Sequence, residues 1–319
     1  MRNYLIYLNK LIVLTLFISG HSVAGNLPDE LLNAPIHLTS GKSVSLADYK
    51  GEKPVYLKFW ATWCQPCRQQ MPHFEHVQKE YGDEIEVIGI NLGINDDLTA
   101  VKNTIKEFGL TMPMAIDEGG HLAQKFRLIG TPYHLLFDKH MNLVHRGHEA
   151  DASLDSKIEL VSRSESEMGE IIDSSVLIED EPDIPIDTND GDLHALFFTA
   201  TWCDWYLQET RPVSAERCAA AQKMINSVFK KTTDVSWLGV INRLWTGDQD
   251  MAEYKRKYSI EHPMQIDKSN RLFHEYSIHD LPTLLVIKND EILARITDFS
   301  DANNIVSALN RDEKLKASK

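Results

Sequence analysis

The chain has 319 residues, with 33 Lys or Arg against 47 Asp or Glu and 43% apolar side chains. A net charge of −14 argues against nucleic acid and anionic lipid as partners, because either would meet like charge. Four cysteines in so long a chain are not a disulfide-scaffold composition, and the length suits two domains of ordinary size.

Residues 1–24 read as a signal peptide. Arg2 and Lys10 precede the apolar run Leu11 to Ile18, and Ser22-Val23-Ala24 offers a small-x-small cleavage site before Gly25. The run is far shorter than the ~20 residues a bilayer needs. An uncleaved inner-membrane anchor is the competing reading, since Tyr4 to Leu8 is also apolar. Loss of Arg2 and Lys10 takes the 33 basic side chains to 31 against 47 acids, a net of −16. Export implies an oxidising compartment, here the periplasm, in which cysteine pairs persist as disulfides.

Residues 25–163 form the first predicted domain. Val55 to Trp60 is a buried-strand run that delivers Ala61-Thr62-Trp63-Cys64-Gln65-Pro66-Cys67 to the start of a helix reading from 67 to 81. Thiol exchange needs that placement: a thiolate attacks a disulfide, and a helix N-terminus favours the thiolate. Cys64 is the expected nucleophile. Cys67, three residues on and on the same helical face, is the expected resolving thiol. Pro66 is tolerated because its missing N–H has no helical partner to lose, and it is a candidate for tuning the pair. A zinc site would need a second cysteine pair in this domain, and there is none. His134, His140, His145 and His148 raise a metal-transfer reading, which the CxxC spacing disfavours; they and His73 and His76 are read as solvated.

The run Ser43-Val44-Ser45-Leu46-Ala47-Asp48-Tyr49-Lys50-Gly51, the stretch FWATWCQPCRQQMP and Ile129-Gly130-Thr131-Pro132 together resemble the TlpA/ResA-type thioredoxin-fold proteins, exported thiol–disulfide oxidoreductases. The resemblance covers residues 35–160. It implies a cis-proline loop at Thr131-Pro132 that docks the substrate chain beside Trp63, a helix kinked near Pro72, and no cofactor. It also implies cysteine-containing exported proteins as partners and a membrane thiol electron donor of the DsbD kind. Lys58 stands where thioredoxins proper keep a buried acid. A lysine there either tunes the thiol chemistry as a cation or packs its stem on the sheet with its head in water.

From Glu165 to Asp192 there are 11 acids and no Lys or Arg, with Pro182, Pro185 and the turn signal Asn189-Asp190-Gly191. Residues 164–192 are therefore predicted to be an acidic linker, extended by self-repulsion, whose apolar patches Ile171-Ile172 and Val176-Leu177-Ile178 can dock on a domain.

Residues 193–319 repeat the first domain. Ala195 to Phe198 leads to Ala200-Thr201-Trp202-Cys203, and Pro263 to Pro282 aligns without a gap on Pro113 to Pro132, six of 20 columns being identical. From Cys67 to Asn91 is 24 residues, as is Cys218 to Asn242, whereas Cys64 to Asn91 is 27 and Cys203 to Asn242 is 39. Cys218 thus takes the place of Cys67, with 12 residues inserted between the members of the second pair. Pro212 and Ser214-Ala215-Glu216 start a helix at about 210–214, so residues 204–213 can return as a loop, expected over Pro282. A Cys203–Cys218 disulfide is expected, structural or redox-active, less accessible than a solvent-facing first pair.

The expected architecture is α/β: two tandem thioredoxin-like domains, each a central mixed sheet flanked by helices, joined by the linker. The function favoured is reduction of partner-protein disulfides by attack of Cys64 and resolution by Cys67. Against it stand a chaperone-like binder of cysteine-containing clients without turnover, and copper transfer.

Overall fold

A computed structural model describes residues 27–163, 171–177 and 181–310. The predicted signal peptide lies outside them, as do 164–170 and 178–180 of the predicted linker. In chain order the first unit comprises α1 (Asp29–Leu32), β1 (Ile36–His37), β2 (Ser43–Val44), β3 (Val55–Trp60), α2 (Gln65–Gln69), α3 (Met71–Tyr81), β4 (Glu86–Asn91), α4 (Leu98–Phe108), β5 (Met114–Ile116), α5 (His121–Lys125), β6 (Tyr133–Phe137), β7 (Leu143–Gly147) and α6 (Ala152–Arg163). The second comprises β8 (Leu193–Thr199), α7 (Cys203–Tyr206), α8 (Pro212–Phe229), β9 (Val235–Asn242), α9 (Asp248–Tyr258), β10 (Met264–Asp267), α10 (Arg271–Glu275), β11 (Thr283–Lys288), β12 (Glu291–Ile296) and α11 (Ala302–Leu309).

Both units build one five-stranded mixed sheet in the same order, β5-β4-β3-β6-β7 and β10-β9-β8-β11-β12. β3 lies at the centre of the first, parallel to β4 and antiparallel to β6, and β8 repeats both relations with β9 and β11. A central strand is covered on both faces, and all six residues of β3 are buried, apolar except for Lys58. The fold is two thioredoxin-like domains.

The duplication reaches the backbone. Left-handed residues recur 150 positions apart: Asn95 and Trp245, Gly109 and Ser259, Gly120 and Asn270, Arg127 and Ser277. The cis peptides Thr131–Pro132 and Leu281–Pro282 keep the same offset.

Three expectations change. The helix predicted over 67–81 is two helices, broken where the resemblance implies a kink: Gln70 leaves helical geometry (ψ 0°) just ahead of Pro72, which tolerates only the first turn of a new helix. The insert is partly helical: Cys203–Tyr206 forms one turn and α8 begins at Pro212. The described linker residues are held out in water only in part: acids such as Asp173, Glu181, Asp183 and Asp187 are exposed, while apolar residues dock as the sequence allows. Ile172 N–H donates to the Leu143 carbonyl at 2.8 Å, Leu177 and Ile184 are buried, and Arg271 donates to the Ile184 carbonyl at 2.9 Å. Burying those apolar side chains outweighs the charge repulsion that would extend the segment.

The two domains meet through their cysteine-bearing ends, related by an approximate twofold. Asn95 N–H donates to the His279 carbonyl at 2.7 Å, and Trp245 N–H donates to the Ile129 carbonyl at 2.9 Å. Under the 150-residue offset these are one bond seen from each side, as in an isologous interface. A single apolar cluster contains Cys64, Cys67, Cys203 and Cys218.

Candidate active site

Cys64 caps α2, and its Sγ accepts the Cys67 backbone N–H at 3.2 Å. The two cysteines are disulfide-bonded with Cα atoms 5.2 Å apart. Pro66 sits in the first turn of α2, where the absent N–H loses no bond. Trp63 donates its indole N–H to the Ile94 carbonyl at 2.7 Å, and Trp202 donates to the Leu244 carbonyl at 2.8 Å, again related by 150. The cis-proline loop is tied to the active-site helices through Gln70. Its amide donates to the His148 carbonyl at 3.1 Å, while His148 Nδ1 donates to the Pro132 carbonyl at 2.7 Å.

Behind this surface is a polar seam. Lys58 is fully buried, its Nζ has no hydrogen-bond partner among the described residues, and it lies 5.1 Å from the Phe74 ring centroid. Burial disfavours the ammonium and pulls its pKa down to about 7. The reading that placed its head in water is therefore corrected: Lys58 is on the central strand under α3, too deep for its stem to carry the charge out. Its ladder neighbour His134 is also buried, not solvated as expected. Tyr56 O–H donates to His134 Nδ1 at 2.6 Å and His134 Nε2 donates to Gln70 Oε1 at 2.8 Å, which fixes the neutral tautomer. Burial, then the nearby Lys58, drives its pKa down to about 2. His145 is buried on β7 as well, whereas His140, His148 and His76 are exposed and His73 bonds Asp155 at 2.7 Å. The expectation of solvated histidines fails on β6 and at His145 of β7, where successive strand residues are buried whichever face they take.

The second pair, Cys203 and Cys218, is bonded with Cα atoms 6.0 Å apart. Both cysteines are buried. The ladder pair equivalent to Lys58 and His134 is Phe197 and Leu284, so this site has no polar seam beneath it. Arg217 donates to the Leu281 carbonyl, next to Pro282, at 3.1 Å.

The insert does not lie over Pro282; it reaches across to the first pair. Arg211 donates to Thr62 Oγ1 at 2.6 Å and to Asp96 Oδ1 at 3.0 Å, and Thr210 Oγ1 donates to the Trp63 carbonyl at 3.3 Å. Gln65 bonds Glu209 through its side chain. Trp63 stacks on Trp202 with centroids 5.0 Å apart, and the edges of Tyr206 and Trp245 close on it at 6.2 and 6.0 Å. A Cβ on Gly130 would come 2.7 Å from Trp245 Nε1, so the indole packs directly on the glycine before the cis-proline loop. Cys64 and Cys67 are consequently 0% exposed, and the expectation of a solvent-facing first pair is corrected. Asp96 anchors the contact: it also accepts Thr62 N–H at 2.7 Å and Asn91 Nδ2 at 2.8 Å, so this buried carboxylate is fully partnered.

The sequence singles out Cys64, Cys67, Thr131, Pro132, Lys58, Pro66 and the second pair, but not Gln70, Asp96, Arg211 or Trp245. No motif announces these four, which matter through contacts between distant segments.

The AhpC/TSA family model matches residues 27–146. The protein is 39% identical over 100 residues to the thiol–disulfide oxidoreductase ResA of Bacillus thuringiensis, covering 31% of this chain and 56% of that one. Against the thioredoxin-like protein YneN of Bacillus subtilis it is 36% identical over 124 residues, covering 38% of this chain and 72% of that one. The first domain belongs to the ResA-type thioredoxin-fold family. A secreted disulfide oxidoreductase of Mycobacterium tuberculosis is similar at 20% identity, with a TM-score of 0.37 and coverage of 42% of this chain and 99% of that one. The chain spans 56% of the length of the ResA sequence it matches at 39% identity, and the AhpC/TSA match at residues 27–146 lies within the first domain.

Proposed function

We propose that the protein is an exported thiol–disulfide oxidoreductase working in the reducing direction on partner proteins. The observation that carries this is the bonded Cys64–Cys67 pair at the start of α2, beside a cis-proline loop in a ResA-type domain. In the reduced protein the Cys64 thiolate attacks one sulfur of a client disulfide, and the other client sulfur leaves as a thiolate. The Cys67 thiolate then attacks Cys64 Sγ, which releases the first client sulfur and forms the Cys64–Cys67 disulfide. Two electrons pass to the client. A dithiol donor, such as a membrane thiol carrier, must restore the pair by the same exchange.

The Cys67 N–H on Cys64 Sγ supports the order of roles, since a donor on that sulfur stabilises its thiolate. The seam of Lys58, His134 and Gln70 supports a site whose proton balance is set from beneath the sheet. The second pair is a buried staple in this reading. It holds α7 against α8 and keeps Tyr206, Thr210 and Arg211 in place over the first pair. Client access then requires the second domain to give way.

Insulin reduction with a dithiol donor tests the reading. The native chain is expected to precipitate the insulin B chain, and Cys64→Ser to fall to the uncatalysed rate. Full activity in Cys64→Ser would refute it.

A further inference from the structure

The seam between the domains is not fully closed. A cavity of about 640 Å³, within the range of built ligand sites, opens beside the first pair. The first domain contributes Pro66, between the two cysteines, and Thr131, next to the cis-proline. These are the two landmarks a client chain must pass to reach Cys64. The remaining wall belongs to the second domain.

That wall has a definite chemistry. Trp205, Tyr206, Trp245 and Tyr254 present aromatic surface, with Trp205, 60% exposed, at its open edge. Asp250 and Glu253 stand on one side, on successive turns of α9. The cation on the same lining, Lys257, is already engaged by Asp204 at 2.6 Å. Arg256 comes no nearer to Glu253 than 3.9 Å, and Asp250 has no cationic partner among the described residues, so negative charge is left in excess. Thr131 is 3% exposed and lines the cavity, yet its hydroxyl has no hydrogen-bond partner among the described residues. A buried hydroxyl left unpaired costs stability unless a ligand completes it.

We infer that this cavity binds the client segment next to its cysteine, and that it selects a segment carrying an arginine or lysine. Aromatic faces attract a flat or alkyl-bodied cation, the two carboxylates hold its charge, and the Thr131 hydroxyl is paired by the client backbone. The volume exceeds one side chain and suits a few residues of extended chain. The second domain thereby gives the first a substrate preference built from residues outside it. The inference rests on the oxidoreductase reading for the word client, but the binding site can be tested without turnover.

The test is calorimetry on the oxidised full-length protein. The probes are an eight-residue peptide with serine in place of its cysteine and arginine two positions later, and its twin with glutamine for arginine. The arginine peptide should bind at least about tenfold more tightly. Asp250→Asn with Glu253→Gln should bring the two peptides within about twofold; the asparagine retains the acceptor that holds Gly247 N–H at 2.8 Å. Trp205→Leu, at the exposed edge, provides a second variant and should lower the arginine preference at least about threefold. Equal binding of the two peptides by the native chain, or a preference that survives both variants, overturns the inference. A chain that reduces insulin but binds both peptides alike loses only the cavity assignment. A chain that prefers the arginine peptide but reduces nothing loses only the oxidoreductase reading.

Discussion

Tyr206→Ala with Arg211→Ala should make Cys64 of the reduced protein react with iodoacetamide at least about tenfold faster than in the native chain. Tyr206 packs edge-on against Trp63 with centroids 6.2 Å apart, and Arg211 bonds Thr62 and Asp96, over a pair of cysteines that have no exposed surface. Hydrogen bonds to charged groups contribute roughly 1.5–3 kcal/mol each, so losing the Arg211 contact alone shifts a local opening equilibrium by about tenfold or more. Cys203 and Cys218, held by contacts these substitutions do not touch directly, should stay bonded. In denaturant the two proteins should react at the same rate, because the cover no longer exists. Equal rates under native conditions would mean that the second domain does not control access.

Lys58→Met should raise stability rather than lower it. The lysine has a pKa of about 7 in the folded chain against an ordinary 10.5, purely because burial disfavours its charge. Between those values the unfolded chain holds a proton that the folded chain has released, so folding stability rises with pH across that window. A gap of this size amounts to roughly 5 kcal/mol at 1.36 kcal/mol per unit, largely in force at neutral pH. Methionine matches the stem but repacks imperfectly, so the gain expected at pH 7 is about 2–4 kcal/mol, shrinking towards zero as the pH approaches 10. Urea unfolding of both proteins at pH 7 and pH 10 measures it. A destabilised variant, or a gain independent of pH, would show that Lys58 is not held as a neutral buried amine. A residue kept at such cost points to a use, and slower resolution of mixed disulfides in the stabilised variant would identify it.

The sequence carried much of this. The repeat at a constant offset of 150 reappears in the sheet order, the left-handed residues and the cis-prolines, because local backbone geometry is written locally. Counting from Asn91 and Asn242 paired Cys218 with Cys67 by register, and register is a property of the chain. The direction of the insert was not legible. Thr210 and Arg211 could as well have folded onto Pro282, and only the docking of two whole domains decides that they meet Trp63 and Asp96. Burial of the first pair followed the same rule: a CxxC at a helix start is exposed in one domain and covered in two. His134 reads as solvated in the sequence, but it follows the cis-proline on β6, a strand buried on both faces. Lys58 was recognised as anomalous, but its depth could not be inferred without α3 above it.

The most direct measurement is to incubate reduced Cys67→Ala protein with a disulfide-bonded protein and map the covalent adduct by mass spectrometry after non-reducing proteolysis. Without the resolving thiol the exchange stops halfway. The account predicts one mixed disulfide, between Cys64 and a client cysteine, with Cys203 still bonded to Cys218. A client attached at Cys203 or Cys218, or no adduct at Cys64 under conditions where the native chain reduces the same client, would contradict it.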